Sequence, residues 1–297
     1  MVVVLSEASF TDRSSINGRE LNVITDTARM FGCSVYPLPP NFDFCETAEN
    51  ALAYVPTFDA VQLGIWVGYI PLPDHYSAIY QAALTMNIRL VNTPDEYQTA
   101  MEFDRFYPLL GELTPKSRIV SAPEQVATAA VALGFPLFVK GAVKSNKEQG
   151  WRACVAENMS ELIVITDGLF AQAQRSRGRV ILRTLATLRT IASDYQAFPL
   201  GREYRVFVYQ GRVLAYGFYW DEYADTLKLS TTEEQAIVSL AAEAARRVGT
   251  PFIAVDIGQM ESGEWIVIEV GDAQFSGLSQ VPVFELWSQL KELSVSA

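Results

Sequence analysis

Residues 252–271 carry two carboxylates at a spacing that suits a divalent cation. Two apolar runs, residues 252–257 and 265–270, flank Ser262-Gly263, a dipeptide suited to a tight hairpin turn. With a two-residue turn there, the register follows by counting outward. Val255 faces Val270 and Ile257 faces Ile268, while on the other face Asp256 lies against Glu269. Opposed side chains in an antiparallel pair sit about 4.5–5.5 Å apart at Cβ, where like charges repel. A cation between them removes that cost. Hard oxygen ligands in a small cluster favour Mg²⁺, which takes one or two carboxylates and fills its shell with phosphate oxygens and water. Asp272, just past the second run, is a candidate third ligand. A solvated hairpin face with both acids in water is the competing structural explanation.

Counter-charges are few, since 23 Lys and Arg oppose 34 Asp and Glu for a net charge of −11. An anionic ligand therefore needs the cations concentrated locally. Lys140 ends the β-like run 136–140, and Lys144, Ser145 and Lys147 occupy the polar loop that follows. Ammonium groups and backbone N–H groups in such a loop suit phosphate. The GxxxxGK[ST] pattern of a P-loop is absent. Residues 203–209 and 212–220 read as a second hairpin turning at Gln210-Gly211, with Glu203, Arg205 and Phe207 on one face. Both faces are partly apolar, so Arg205 is half-buried and needs an anion, either Glu203 or a ligand phosphate. Arg183, at the end of the run 180–183, poses the same question.

Several function classes are excluded by composition. No Lys/Arg-rich stretch offers a footprint for nucleic acid. The single histidine, His75, sits in a loop-like stretch, which argues against a Ser-His-Asp triad or a His-rich zinc site. Cys33, Cys45 and Cys154 show no CxxC spacing and are expected as reduced thiols. The apolar start, residues 1–5, is too short for a signal peptide, and no run has the length of a membrane span. A cytoplasmic location is expected, and a homodimer is compatible with the sequence.

Positioning these groups requires two kinds of layer. Up to about residue 112, strand-like runs at 2–5, 34–37, 60–67 and 89–91 alternate with helical stretches at 19–31, 76–86 and from Thr93-Pro94 onward. That alternation predicts a small α/β unit with a parallel sheet. Residues 113–297 read as α+β with antiparallel hairpins. A strand (118–120), a helix (123–133) and a strand (136–140) are followed by the two hairpins, with a long helix between them. The helix opens on the capping box Ser230-Thr-Thr-Glu233, places Ile237, Leu240, Ala241, Ala244 and Val248 on one face, and stops at Gly249.

Taken in order, "NTPDEYQTAMEFDRF", "ALGFPLFVK", "GREYRVFVYQGRVL" and "FIAVDIGQMESGEWIVIEVGD" resemble the ATP-grasp superfamily. The resemblance spans roughly residues 90–280, with the first unit matching in architecture. More narrowly, "FVKGAVKSNKEQGW" and "EYRVFV" resemble the branch named for two arginines and a lysine, whose members are mostly inferred to be peptide or amino-acid ligases. The resemblance implies ATP and Mg²⁺ as cofactors, with a small-molecule carboxylate and an amine as partners. Lys140 would contact the α-phosphate, and Lys144 or Ser145 the β- and γ-phosphates. Arg205 and Arg183 would be the two arginines, Glu203 would border the nucleotide, and Asp256 and Glu269 would hold the metal.

Four positions depart from the family pattern, one of them Arg105, which stands where a lysine is usual. Gly271 stands where an Asn ligand is usual, two residues after Glu269, so Asp272 is expected to substitute. Ala254 replaces an Arg two residues before Asp256, and Thr184 stands at an acidic hinge position. The expected reaction is ADP-forming ligation of a carboxylate to an amine through an acyl phosphate. Its alternatives are a degenerate nucleotide-binding relative, a phosphotransferase on the same fold, and a non-enzymatic α/β binding protein.

Overall fold

Val2–Ser6 is buried at every position, as an inner parallel strand must be when helices cover both faces. It is strand β1 of a parallel sheet completed by β2 (Ser34–Pro37), β3 (Gln62–Val67) and β4 (Ile88–Leu90), ordered β2-β1-β3-β4. Helices α1 (Ile16–Met30), α2 (Ala48–Ala51) and α3 (Pro73–Thr85) make the crossovers. His75 lies in the first turn of α3 rather than in a loop, because Pro73 starts that helix at its first position. The computed structural model describes residues 1–40, 45–192, 199–220 and 228–296.

Helices α4 (Pro94–Met101) and α5 (Phe103–Leu110) lead out of the first unit, with Thr93 and Glu96 closing a capping box on α4. An antiparallel sheet follows, made of β5 (Ser117–Val120), β6 (Leu137–Gly141), β7 (Val155–Ala156) and β8 (Val180–Thr184), ordered β5-β8-β6-β7. Helices α6 (Val126–Leu133), α7 (Met159–Phe170) and α8 (Ala173–Ser176) accompany it. A short ribbon, β9 (Thr190–Ala192) with β10 (Leu200–Gly201), precedes a second antiparallel sheet. This contains β11 (Glu203–Tyr209), β12 (Arg212–Phe218), β13 (Phe252–Gln259) and β14 (Trp265–Asp272), ordered β12-β11-β13-β14. Helix α9 (Thr231–Val248) buries Ile237, Ala241, Ala244 and Val248 against it. Helix α10 (Val283–Ser296) closes the chain over α1 and β12. Among the described residues no helix is long and apolar enough to cross a membrane.

The acidic hairpin differs from its sequence reading in two places that compensate. Its connection is the three-residue loop Glu261-Ser262-Gly263, closed by Met260 N–H to Glu264 O at 2.8 Å, with Gly263 at φ 91°. A left-handed glycine at the end of such a loop is the usual way to close it. Ile257 consequently pairs with Val267, not with Ile268. A bulge between Asp256 and Ile257 then leaves Ile268 without a partner. Beyond the bulge the register is as expected, Asp256 against Glu269 and Val255 against Val270.

The core is continuous across residue 112. One cluster joins Val2, Val4 and Ile65 of the first unit to Phe207, Phe252 and Trp287. The β5–β8 sheet keeps a separate cluster, drawn from Val120 to Leu182.

Candidate active site

Three neighbouring strands carry a row of charges in register, Arg205 on β11, Asp256 on β13 and Glu269 on β14. Arg205 donates from Nε and Nη2 to the two carboxylate oxygens of Asp256, both at 2.8 Å, and from Nη1 to Gly277 O at 2.8 Å. Its protein partner is thus the cross-strand neighbour Asp256 rather than Glu203. The reason is geometry: Glu203 is two residues along the same strand, whereas Asp256 lies directly beside Arg205. Burial works against the guanidinium charge, but Asp256 more than offsets it and raises the Arg205 pKa.

Lys140 reaches across from β6 and donates to Glu269, so the two antiparallel sheets meet at this ion pair. The ammonium group is also 5.7 Å from the Phe103 ring centroid. Lys140 is 3 % exposed, while Glu269 keeps 36 % of its side chain open to the cleft. Burial pushes the Glu269 carboxyl up, yet Lys140 first, then Lys147 and Arg183, hold it below the ordinary range. For Lys140 burial prevails over Glu269 and lowers the ammonium pKa. A buried ammonium group is favoured by an anion beside it, and Glu269 supplies one.

Arg183 sits under the same cluster. It donates from Nη1 to the carbonyl of the bulged Ile268 at 2.6 Å, and from Nη2 to Thr114 Oγ1 at 2.6 Å and Val267 O at 3.2 Å. Burial lowers its pKa to about 10, with Glu269 opposing. Arg183 brings positive charge to the cleft wall and ties the bulge to β8. Glu203 is also buried, which raises its carboxyl above the usual value against the pull of Lys147.

Lys147 is the cation that residue types alone did not single out. It is half-buried, with its ammonium 5.7 Å from the Tyr219 ring centroid and 5.9 Å from that of Trp220. Burial opposes its charge, and Glu203 foremost raises its pKa. Lys144, in the same loop, is exposed, and no feature of the sequence separates the two. Only the folding of the loop over β11 and β12 does so. Both rings belong to the aromatic-rich stretch 216–223, of which residues 221–223 lie outside the described residues.

Two cavities flank this cluster. The first, of about 280 Å³, lies between the sheets, with Phe138, Leu185 and Ile268 among its apolar walls and Lys140, Arg183 and Glu203 among its charged ones. The second, of about 490 Å³, opens on the other side toward the first unit and includes Arg205, Asp256 and Lys144. Ser145, Lys147 and Glu269 border both. Cavities with apolar walls and a few convergent polar groups are the usual form of a small-molecule site.

Asp272 does not join the carboxylate pair. Strand β14 continues through Gly271 to Asp272, and alternation turns Asp272 to the opposite face from Glu269. There it is fully buried, accepting from Asn92 Nδ2 at 2.8 Å and from Gln274 N–H at 2.9 Å. Gly271, on the Glu269 face, has no ligating atom in its side chain. Among the described residues no group of three or more His, Cys, Asp or Glu converges. Two opposed carboxylates without a third match an ion that draws the rest of its shell from phosphate and water, so the residues present fit Mg²⁺ rather than a metal in a protein-built cage.

Burial raises the Asp272 carboxyl from 3.8 to about 6, against the hydrogen bonds of Asn92 and Gln274. The folded state therefore holds this proton more tightly than the unfolded chain does. Its stabilising contribution is present below pH 3.8 and lost as pH rises to about 6. Relative to Asp272→Asn, the parent should lose about 3 kcal/mol of stability across that window. Denaturant titrations of both proteins at several pH values measure the difference, and a flat difference refutes it.

Two antiparallel sheets closing on a charged cleft behind a parallel α/β unit define an ATP-grasp fold. The same fold is seen in the RimK domain ATP-grasp protein from Sphaerobacter thermophilus DSM 20745, at 13% identity and TM-score 0.61, covering 99% of this chain and 100% of that one. D-alanine–D-alanine ligase from Bacillus anthracis, solved with ATP, is similar at 13% identity and TM-score 0.67, covering 99% and 97%. PsnB, solved with minimal precursor, Mg and ADP, is similar at 15% identity and TM-score 0.57, covering 99% and 98%. No curated protein sequence matches. The chain belongs to the third ATP-grasp domain family of the clade named for two arginines and a lysine, whose model matches residues 130–290, more than half of its length.

Proposed function

We propose that this protein is an ATP- and Mg²⁺-dependent ligase that joins a carboxylic acid to an amine through an acyl phosphate, releasing ADP and phosphate. One observation carries the proposal: the Arg205–Asp256–Glu269 row faces Lys140 at the junction of two cavities, one suited to a nucleotide and one to its co-substrates. Structural relatives solved with ATP, or with Mg and ADP, support the nucleotide and the metal. The free thiols of Cys33, Cys45 and Cys154 support a reducing, cytoplasmic setting.

Phosphoryl transfer asks a protein chiefly for positioning and for neutralisation of charge. Asp256 and Glu269 would hold Mg²⁺, which when bound supplies Lewis-acid stabilisation of the phosphoryl oxygens. Lys140 and Lys147, on the nucleotide side, would neutralise the phosphate chain, and Ser145 with Lys144 would line its far end. Arg205 would meet the charge that develops as a substrate carboxylate takes the phosphoryl group. The amine then attacks the acyl carbon and phosphate departs. We assign no side chain as general base.

The test is ADP release that requires both a carboxylic acid and an amine, with an amide product detected by mass spectrometry. ADP release without amide, or a phosphorylated hydroxyl in its place, refutes ligation. Nucleotide binding that supports no turnover with any acid favours a degenerate relative, a reading that Ala254 and Gly271 support. Lys140→Ala should weaken ATP binding about tenfold or more, the loss of a charge-assisted contact. Isothermal titration with ATP and Mg²⁺ measures it, and a dissociation constant equal to the parent's removes Lys140 from the site.

A further inference from the structure

The second cavity has two chemically distinct ends. At one stand Arg205, Asp256 and Glu269, where phosphoryl transfer would occur. At the other stand Ile70, Met101, Val143 and Phe275, which pack together as part of one apolar cluster. Between the ends, Ala254 and Gly271 form a cross-strand pair, so no side chain longer than a methyl rises from the sheet there. The small pair leaves an open floor from the charged row to the apolar wall.

That wall is rigid. Phe275 lies edge-on to Trp66, Tyr97 and Tyr76, with centroids 5.4, 5.5 and 6.0 Å away. The residue before it, Gln274, is fixed by Trp66 N–H at 2.9 Å, and Ser276 Oγ donates to Asp272 O at 2.9 Å. Two residues on, the Gly277 carbonyl accepts from Arg205. Apolar wall and reactive row are therefore held in fixed relation by one short segment. Ile70 and Phe275 remain half-buried, with surface facing the cavity.

Resting on the ligase reading above, we propose that the acid activated at this site has an apolar body, aliphatic or aromatic, that lies along Ala254 and Gly271 and ends against Ile70 and Phe275. Its carboxylate must reach Arg205 and the carboxylate pair, which leaves the rest of the molecule to run where the cavity continues. A second carboxylate or an ammonium group laid against Ile70, Met101, Val143 and Phe275 would lose its water there. The other charged side chains of the cavity, Lys144, Lys147, Glu148 and Arg175, belong to the loop and helix on its far wall rather than to this one.

The test pairs turnover with binding. Acids of equal length ending in an isopropyl group, a phenyl group, a carboxylate or an ammonium group are compared in amine-dependent ADP release. Their binding is measured by calorimetry in the presence of Mg²⁺ and a non-hydrolysable ATP analogue. The apolar acids are expected to exceed the charged ones by about tenfold or more in kcat/KM and in affinity. Ile70→Ser should raise KM for apolar acids about tenfold and leave KM for ATP unchanged, with a melting curve to report the fold. Fastest turnover with the diacid or the ammonium acid overturns the assignment and leaves ligation standing. Tight binding of apolar acids without turnover keeps the assignment and overturns ligation. Neither binding nor turnover with any of them overturns both.

Discussion

Glu269→Gln is expected to lower ADP formation by about a thousandfold or more while the protein remains folded. Glu269 lies opposite Asp256, accepts from Lys140 and borders both cavities. An amide of the same shape keeps a carbonyl oxygen for Lys140 but loses the charge that a divalent cation requires. Lys140 can survive the change, because the amide oxygen still accepts its hydrogen bond. The fold should therefore tolerate Gln better than Ala. A coupled ADP assay gives the rate, and a melting curve with circular dichroism reports the fold. Turnover equal to the parent's would remove the metal pair from the mechanism.

Arg205→Ala should damage both stability and rate. The guanidinium is bound on both oxygens of Asp256, with exposures of 14 % and 10 % for the two side chains. Removing it strands a buried carboxylate directly opposite Glu269, and breaking a buried pair costs about 3–5 kcal/mol. Arg205→Lys should restore little, because an ammonium group cannot hold both oxygens and the Gly277 carbonyl in one plane. Turnover should fall about a hundredfold in either variant, as when a preorganised donor is deleted from a charged transition state. Mg²⁺ provides an internal check: with Asp256 freed of its guanidinium, added Mg²⁺ should raise the melting point of Arg205→Ala more than that of the parent. A variant as stable as the parent, with no differential response to Mg²⁺, contradicts the assignment.

Much of this site is legible in the sequence because strands alternate and hairpins count. The facing of Asp256 and Glu269 follows from a turn and a register, and the structure has it, though through a three-residue loop and a compensating bulge. The bulge itself has no signature in the residue types, so the position of Ile268 could not be read. Asp272 departs from expectation for a related reason. The apolar pattern predicts a strand ending at residue 270, but it runs to Asp272, and two more residues of alternation turn that side chain away from the site. That Arg205 needs an anion follows from its half-buried place in a strand. The choice of anion depends on β13 lying beside β11, a pairing between segments some fifty residues apart. Lys147 is a tertiary fact altogether, since its role depends on a loop crossing to the aromatic rings of Tyr219 and Trp220, just past β12.

The division of the apolar interior bears on how nucleotide enters and leaves. One wall of the cleft shares its packing with the parallel unit, while the other is built on an interior of its own. Where the two bodies touch beside Phe103 the contacts are ionic and apolar together: Glu102 accepts from Arg177 and Arg179, Asp104 accepts from Arg179, and Ile181 shares a cluster with Phe103 and Phe106. Glu102 is 5 % exposed, so parting these pairs would strand a buried carboxylate, unlike the loss of a surface ion pair. Any motion of the smaller body that released nucleotide would have to part this seam. Its pace should respond to the loss of Glu102 more than to salt, which screens buried pairs little.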